Sequence, residues 1–526
     1  MSIDKSTKYD RQLRLWESTG QQKLEDSSIC LINATATGSE LLKNLVLPGI
    51  GQFTIISDLP VTPNSLSGNF FLDDEDIGKP LATAMTEKLV ELNTDVQGNA
   101  MNDNLNNILK NESPEFWNQF SAVVVCDFIS SDDLDKLQDI TWNIKIPLFV
   151  LNTLAFYGSL KLIMPETTVV ETHDPSRLFD LRIDNPWEEL KHYADSIHLN
   201  ELDDTDHAHI PYIVIFLKAL TAWKQDHNNL PPRTYPEKKS FRYDYVEALS
   251  RDIKSETNFI EASQSVHRAL QSTRVPQPIL NLFEHSKIKD GNLNYHTPMF
   301  WIYVKALKNF VIKNDVLPLP GNIPDMASDT TNYIKIQSIY REKALKDMNE
   351  FTVEVLKILE NAGRSEEGIN KASIATFCKN TALLHVAEGS KDLCNNYLIK
   401  KVLEGKGSEF DTDQYNILSI HFAILTFNLF IQTHGRIPTT DDFDGFTGLF
   451  VDNFSPSILV GNLPNSVVLT FREVLAHNST SYHNMSSFMG GIASQEILKI
   501  VTGQYIPLDN LFVFDGIRSV SEKWKV

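Results

Sequence analysis

Ile29-Cys30-Leu31-Ile32 runs through the polar turn Asn33-Ala34-Thr35-Ala36-Thr37-Gly38 into residues 40–47, where Leu41, Leu42, Leu45 and Val46 share one helical stripe. Pro48-Gly49 ends that helix, and Phe53-Thr54-Ile55-Ile56 reads as the next strand. A strand, a helix and a strand at this spacing form a β-α-β unit, because parallel neighbours need a crossover helix. The rhythm repeats downstream: residues 122–126 are an apolar run, residues 132–142 a helix, and Leu148-Phe149-Val150-Leu151 another buried strand. Residues 1–170 are therefore predicted to form the first part of an α/β, doubly wound, Rossmann-like sheet.

After Glu171 the pattern changes to long helical stretches, over residues 212–225, 243–253, 298–312 and 332–359, separated by Pro-rich connections at 229–236 and 317–324. We read residues 171–480 as a large inserted, mainly α-helical region. The α/β rhythm returns over 481–526, with a small-residue helix at 486–501 and the strand Leu511-Phe512-Val513-Phe514 free to rejoin the first sheet.

Composition bounds the function. The 526 residues, 42% hydrophobic and 22% charged, support several cores. Forty-eight Lys and Arg against 68 Asp and Glu give a net charge of −20, which disfavours nucleic acid and anionic membranes as partners. A basic protein partner suits such a surface, and so does plain solvation. Cys30, Cys126, Cys378 and Cys394 are far apart, without C-x-x-C pairing, so neither a zinc or other metal site nor a disulfide framework is expected. The start MSIDKSTKYDRQ lacks the apolar stretch of a signal peptide, and no run approaches the roughly 20 apolar residues that span a membrane. A soluble protein of the cytoplasm, the nucleus or both is expected.

Nucleotide sites of this topology place G-x-G-x-x-G between the first strand and its helix, so that backbone N–H groups reach the phosphates. Here only Gly38 of that pattern is present, and the β-branched Thr35 stands where the backbone must come closest. A tight turn, with Gly38 kept for helix packing, is the expected role.

Three segments carry a family resemblance: Tyr9-Asp10-Arg11-Gln12, then Gly38-Ser39-Glu40-Leu41-Leu42-Lys43-Asn44-Leu45, and Asp76-Ile77-Gly78-Lys79-Pro80. In this order and spacing they resemble the adenylation domains of the ubiquitin-like activating enzymes. Catalytic members of that family carry an N-x-N-R-Q-F stretch and a G-x-P-K lysine that bind ATP. This chain reads Ser65-Leu66-Ser67-Gly68-Asn69-Phe70 and Gly78-Lys79-Pro80-Leu81, so Gly68 and Leu81 replace an arginine and a lysine. Ser57 and Leu59 fall where two acidic residues belong, with Asp58 between them as a shifted remnant. The resemblance therefore implies a pseudo-adenylation domain that binds no cofactor of its own.

Further blocks resemble one subtype, the regulatory, non-catalytic subunits of the heterodimeric enzyme that starts neddylation. They are residues 30–38, Asn44-Leu45-Val46-Leu47-Pro48-Gly49-Ile50-Gly51, Asp180-Leu181-Arg182-Ile183-Asp184, Thr297-Pro298-Met299-Phe300-Trp301-Ile302, and residues 323–344. The resemblance implies a catalytic subunit as partner, which holds ATP and magnesium and bears the thioester cysteine, and a ubiquitin-like modifier. It implies that Arg11 reaches in trans into the partner's ATP site, and that Asp325, Met326, Tyr333, Ile334 and Ile336 belong to the subunit interface. Residues 171–480 resemble the catalytic-cysteine domain without its cysteine: Cys378 and Cys394 match no thioester motif and read as ordinary helix residues. His477 and His483 have no recognisable nucleophile to serve. The alternatives are the regulatory subunit of the sumoylation enzyme, a self-sufficient ATP-dependent adenylating enzyme and, on a failing loop, a Rossmann oxidoreductase.

Overall fold

The computed structural model describes residues 5–66, 68–173, 179–289, 291–365, 370–405, 408–455, 463–477 and 482–526. The chain divides into two compact units, residues 1–169 with 385–526 and residues 170–384.

The first unit is built on an eight-stranded sheet, order β10-β9-β6-β5-β4-β1-β2-β3. Its strands are β1 (Ser28–Ile32), β2 (Gln52–Ile56), β3 (Gln97–Met101), β4 (Ala122–Cys126), β5 (Leu148–Leu154), β6 (Tyr157–Ile163), β9 (Leu511–Asp515) and β10 (Val520–Trp524). The β1 to β5 strands are mutually parallel, while β6, β9 and β10 extend the sheet antiparallel. The order reverses between β1 and β4, where folds of this type open a ligand crevice.

Period-two alternation divides the strand residues between two apolar layers. Leu31, Val124, Leu151 and Leu160 face a core shared with helices Ala36–Val46, Leu81–Val90 and His483–Thr502. On the other face Cys30, Val123, Val125 and Val150 meet the helix Ser131–Ile144, and Tyr157, Leu511 and Val513 meet helices Leu418–His434, Phe443–Phe454 and Asn465–Ala476. Both faces are covered, which is why the central strands read as continuous apolar runs.

The small residues near the chain's end have a packing role. A Cβ placed on Gly490 would lie 2.8 Å from the Leu41 amide nitrogen and 3.0 Å from Glu40 Cβ, so His483–Thr502 crosses Ala36–Val46 at backbone contact. One side-chain layer is missing at this crossing.

The sequence reading put the return to the α/β unit at residue 481, and the structure puts it at His385. Residues 418–476 are mainly helical, but those helices bury their apolar faces on β6 and β9. Periodicity identifies a helix and does not name the surface that it covers. A two-stranded ribbon, β7 (Glu166–Val169) with β8 (His385–Glu388), holds the departing and returning chain together.

The second unit is mainly helical, as expected, around helices Tyr212–Asp226 and Thr330–Asn361, with Met299–Asn314 packed on the latter. The helix predicted over 243–253 is not formed. A wide π-helical turn, Phe241–Val246, runs into a short 3-10 turn, Glu247–Leu249. Glu256 then ties the chain down by accepting the Arg251 and Asp252 amides at 2.8 and 3.2 Å. Two subtype blocks meet in this core: Tyr340 donates to the Leu181 carbonyl at 2.5 Å, and Arg182 grips Asp180 at 3.2 Å. Among the described residues no helix is long and apolar enough to cross a membrane.

Gly490→Val should lower the stability of the chain by about 1–3 kcal/mol, the usual cost of forcing volume into a packed contact. Gly491→Ala, whose Cβ would meet nothing nearer than Asn44 Nδ2 at 3.9 Å, should be neutral or slightly stabilising. Denaturant unfolding of the two variants checks this, and equal midpoints would remove the close crossing from the account.

Candidate functional site

The crevice at the strand-order reversal is a cavity of about 490 Å³. Residues 34–37 form one wall, Asp127 and Phe128 extend from β4, and Asn152 to Ala155 come from the end of β5. Ile424, Phe427, Asn428 and Ile431 of the helix Leu418–His434 close the opposite side.

The loop that opens this crevice is occupied with its own hydrogen bonds. Asn33, at φ +66°, donates through Nδ2 to the carbonyls of Cys126 and Phe128 at 3.0 and 2.8 Å, pinning the end of β1 to that of β4. Thr35 is the N-cap of Ala36–Val46, its hydroxyl accepting the Gly38 amide at 3.3 Å. Thr37 hydrogen-bonds Thr153 and sits 3.3 Å from Ser486 Oγ. One of the first-turn donors that could meet a phosphate, the Gly38 amide, thus faces a threonine cap. A Cβ on Gly38 would come 3.0 Å from Leu31 Cδ2 and 3.2 Å from the Asn33 carbonyl, the packing role expected of that glycine.

The crevice offers no cationic clamp for a triphosphate among the described residues either. None of the described residues lining it is Lys, Arg or His. Asp127 is there instead, held by the Thr153 amide at 2.8 Å. Desolvation raises its pKa, against hydrogen bonds from Thr153 and Thr35 that lower it. Gly68, in the arginine position, is a turn residue at φ +73°, and Leu81, in the lysine position, is buried at the start of Leu81–Val90. Ser57 is buried, while Asp58 is exposed and does not line the crevice.

No cysteine is prepared for thioester chemistry. Cys30 and Cys126 are strand residues in the sheet core, and burial pushes both thiols up. Burial also raises Cys378, in Lys371–Asn380, to about 12. Cys394 lies in the turn before Asn396–Glu404, not on a helix as expected, because Asn395 caps that helix. Its thiol is raised by desolvation and by Asp392, with Lys161 pulling the other way. A thiol held in its neutral form is a poor nucleophile. His477 pairs with Glu473 at 3.3 Å, and His483 rests on Phe70 with ring centroids 5.0 Å apart. Among the described residues no cluster of His, Cys, Asp and Glu is arranged to hold a metal.

Arg11 lies on the first turn of the helix Asp10–Glu25, exposed and without an ion-pair partner among the described residues. Arg14 pairs with Asp10 at 3.0 Å, which leaves Arg11 the freer guanidinium.

The expected interface residues divide. Met326 is 7% exposed and Ile336 fully buried, both in the core of the second unit, so neither offers a surface to another chain. The helix Thr330–Asn361 turns Ile336 inward and Ile334 outward, leaving Ile334 55% exposed. Tyr333 is half-buried against the same core, and Asp325 is exposed. Sequence reading missed the crevice walls from Asp127 and from residues 424–431. The all-round apolar character of Leu418–His434 was the available signal, since a helix apolar on every side is covered on every side.

Comparison with known proteins gives a consistent picture. The ThiF family matches residues 9–526. The NEDD8-activating enzyme E1 regulatory subunit of Gallus gallus is 35% identical over 99% of this chain and 98% of its own length. That of Danio rerio is 34% identical over 99% of both chains, and the AXR1 regulatory subunit of Arabidopsis thaliana is 32% identical over 100% and 97%. Among solved structures, the E. coli MccB complex with succinimide covers 37% of this chain and 56% of its own at 14% identity, with a TM-score of 0.28.

A crevice with no lining cation should not hold ATP. Titration calorimetry of the purified chain is expected to show no binding at micromolar nucleotide, and a micromolar dissociation constant would overturn this reading of the loop.

Proposed function

The chain belongs to the ThiF family, in the branch of NEDD8-activating enzyme E1 regulatory subunits, and from that premise we propose that it is the non-catalytic half of a heterodimer. The other half is a catalytic subunit that binds ATP and magnesium, adenylates the ubiquitin-like modifier and forms its thioester, the first step of neddylation. This chain binds no nucleotide and supplies scaffold and one charge. The observation that carries the proposal is an α/β sheet whose crevice has a threonine-capped loop and, among the described residues, no lining cation. Its place of action is the cytoplasm, the nucleus or both.

Arg11 is the charge supplied. Adenylation joins the modifier's terminal carboxylate to the α-phosphorus and expels pyrophosphate, so negative charge grows on the departing oxygens. A guanidinium is permanently charged and presents a planar fork to such oxygens, and it needs no pocket in its own chain to do so. The partner's site would receive it from the exposed first turn of Asp10–Glu25. Arg11→Ala should leave the heterodimer assembled and slow modifier-dependent pyrophosphate exchange by on the order of tenfold or more. Wild-type exchange in the intact variant heterodimer would show that Arg11 does not act in trans.

For the subunit contact near residues 325–337, the exposed side is the one to weigh. Ile334 is exposed and in this proposal meets the catalytic subunit, as do Tyr333 and Asp325, whereas Met326 and Ile336 lie in the core of the second unit. Ile334→Asp is expected to weaken association by on the order of tenfold without lowering the chain's own stability. Ile336→Ala should instead cost about 2–5 kcal/mol of folding stability. A binding titration set beside denaturant unfolding separates the two, and unchanged association of Ile334→Asp would move the interface elsewhere.

A further inference from the structure

Tyr9, at the head of the amino-terminal helix, is 2% exposed although the turn that it begins lies on the surface. Asn93, 4% exposed, donates through Nδ2 to the Tyr9 hydroxyl at 3.0 Å and to the Val46 carbonyl at 2.9 Å. The Tyr9 hydroxyl donates to Asp95 Oδ2 at 3.3 Å. Lys8 Nζ completes the set by donating to Asn93 Oδ1 at 2.5 Å and to Asp95 Oδ2 at 2.7 Å. Gly49, at φ +89°, leaves room for the phenol, because a Cβ there would lie 2.7 Å from the Tyr9 oxygen.

The far end of the same short segment is fastened too. The Trp16 carbonyl accepts from Gln504 Nε2 at 3.1 Å, and the Trp16 indole donates to Gln21 Oε1 at 3.3 Å. Between Trp16 and the continuing helix, Glu17 takes φ +56° and ψ −177°, a conformation almost confined to glycine. Residues 10–15 are therefore a separate helical turn, set off from residues 18–25 by a strained joint and clamped before and after it. Of the two arginines on this turn, Arg14 is engaged with Asp10 and Arg11 projects without an ion-pair partner among the described residues.

So much polar fastening is more than an exposed turn needs in order to cover the core. It suits a turn that must present one charge at a fixed place, since a displacement of about 1 Å can cost a reaction on the order of a hundredfold. We propose that Asn93 and Tyr9 are positioning residues for adenylation: their buried latch, with the strained joint at Glu17, holds Arg11 where it acts on the triphosphate in the partner subunit. This inference rests on the reading of Arg11 given above. Asn93 and Tyr9 touch no substrate and act only through the segment that they anchor.

The test uses the assembled heterodimer with its modifier and follows kcat for pyrophosphate exchange in Asn93→Ala, Tyr9→Phe, Glu17→Gly, Arg11→Ala and the Asn93→Ala/Arg11→Ala pair. Asn93→Ala is expected to slow exchange by on the order of tenfold. Tyr9→Phe, which removes only the hydroxyl, should slow it severalfold and covers the case in which Asn93→Ala folds poorly. In the Arg11→Ala background, Asn93→Ala should add nothing, because the group that it positions is gone. Glu17→Gly should keep or raise the melting temperature while slowing exchange, a combination that a merely structural role does not produce. Slow exchange in Arg11→Ala with wild-type rates in Asn93→Ala and Tyr9→Phe would overturn the latch alone, as would losses that multiply in the double variant. Wild-type exchange in Arg11→Ala would overturn the underlying reading, and the latch with it.

Discussion

The amides in the first turn of Ala36–Val46 can be answered by a bound phosphate or by the chain itself, and Thr35 answers the one at Gly38. The rest of the crevice follows from that local choice. The loop accommodates a β-branched residue, β4 ends in Asp127 beside Thr153, and Gly68 and Leu81 are a turn glycine and a buried leucine. The far side of the crevice is walled by Ile424, Phe427, Asn428 and Ile431 of Leu418–His434. The scaffold persists because its cores lie on both faces of the sheet and do not require a ligand.

The amino-terminal turn shows a division of labour of a different sort. In the function proposed above, a chain without a nucleotide site of its own takes part in the reaction by exporting a charge. Export needs exposure and fixed placement together. Exposure comes from putting Arg11 on the outer face, and placement comes from burying its neighbours, Tyr9 and Trp16.

Much of this was legible in the sequence because it depends on short-range patterns. Residues 29–32, 53–56 and 122–126 are strands, and residues 212–225 and 332–359 lie within helices, because apolar spacing reports the period of the backbone directly. The turn made by residues 33–38 was legible for the same reason, since Thr35 and the missing glycines are local facts. Choosing the neddylation branch over sumoylation drew on blocks such as Asp180 to Asp184, whose structural use is the contact of Arg182 and Leu181 with Asp180 and Tyr340. Partnership over long separations was not legible. The boundary at 385 depends on which surface residues 418–476 cover, and the division between Met326, Ile336 and Ile334 depends on which side of one helix is already occupied. An exposed and a buried isoleucine look alike until a neighbour is placed. The strand β6, paired with β5 in a hairpin, was missed although Leu160 and Leu162 are apolar, and its second partner β9 comes from the far end of the chain.

That last pairing bears on how the protein is made. The β6 strand pairs with β9 through Tyr157 opposite Asp515 and Lys161 opposite Leu511, and β10 follows β9 at the edge. On the ribosome, roughly 350 residues separate the synthesis of β6 from that of β9, which at 5–20 residues per second is on the order of tens of seconds. Throughout that interval β6, paired with β5 on one side, leaves its other edge open, the kind of edge that recruits strands from other chains. The ribbon of β7 and β8 marks where the chain leaves the sheet and where it comes back, so the whole helical unit is translated while the edge stands open. The helices of 418–476, which cover the face of β6, also emerge before its edge is sealed. The order of the strands thus delays closure of that edge until β9 is made.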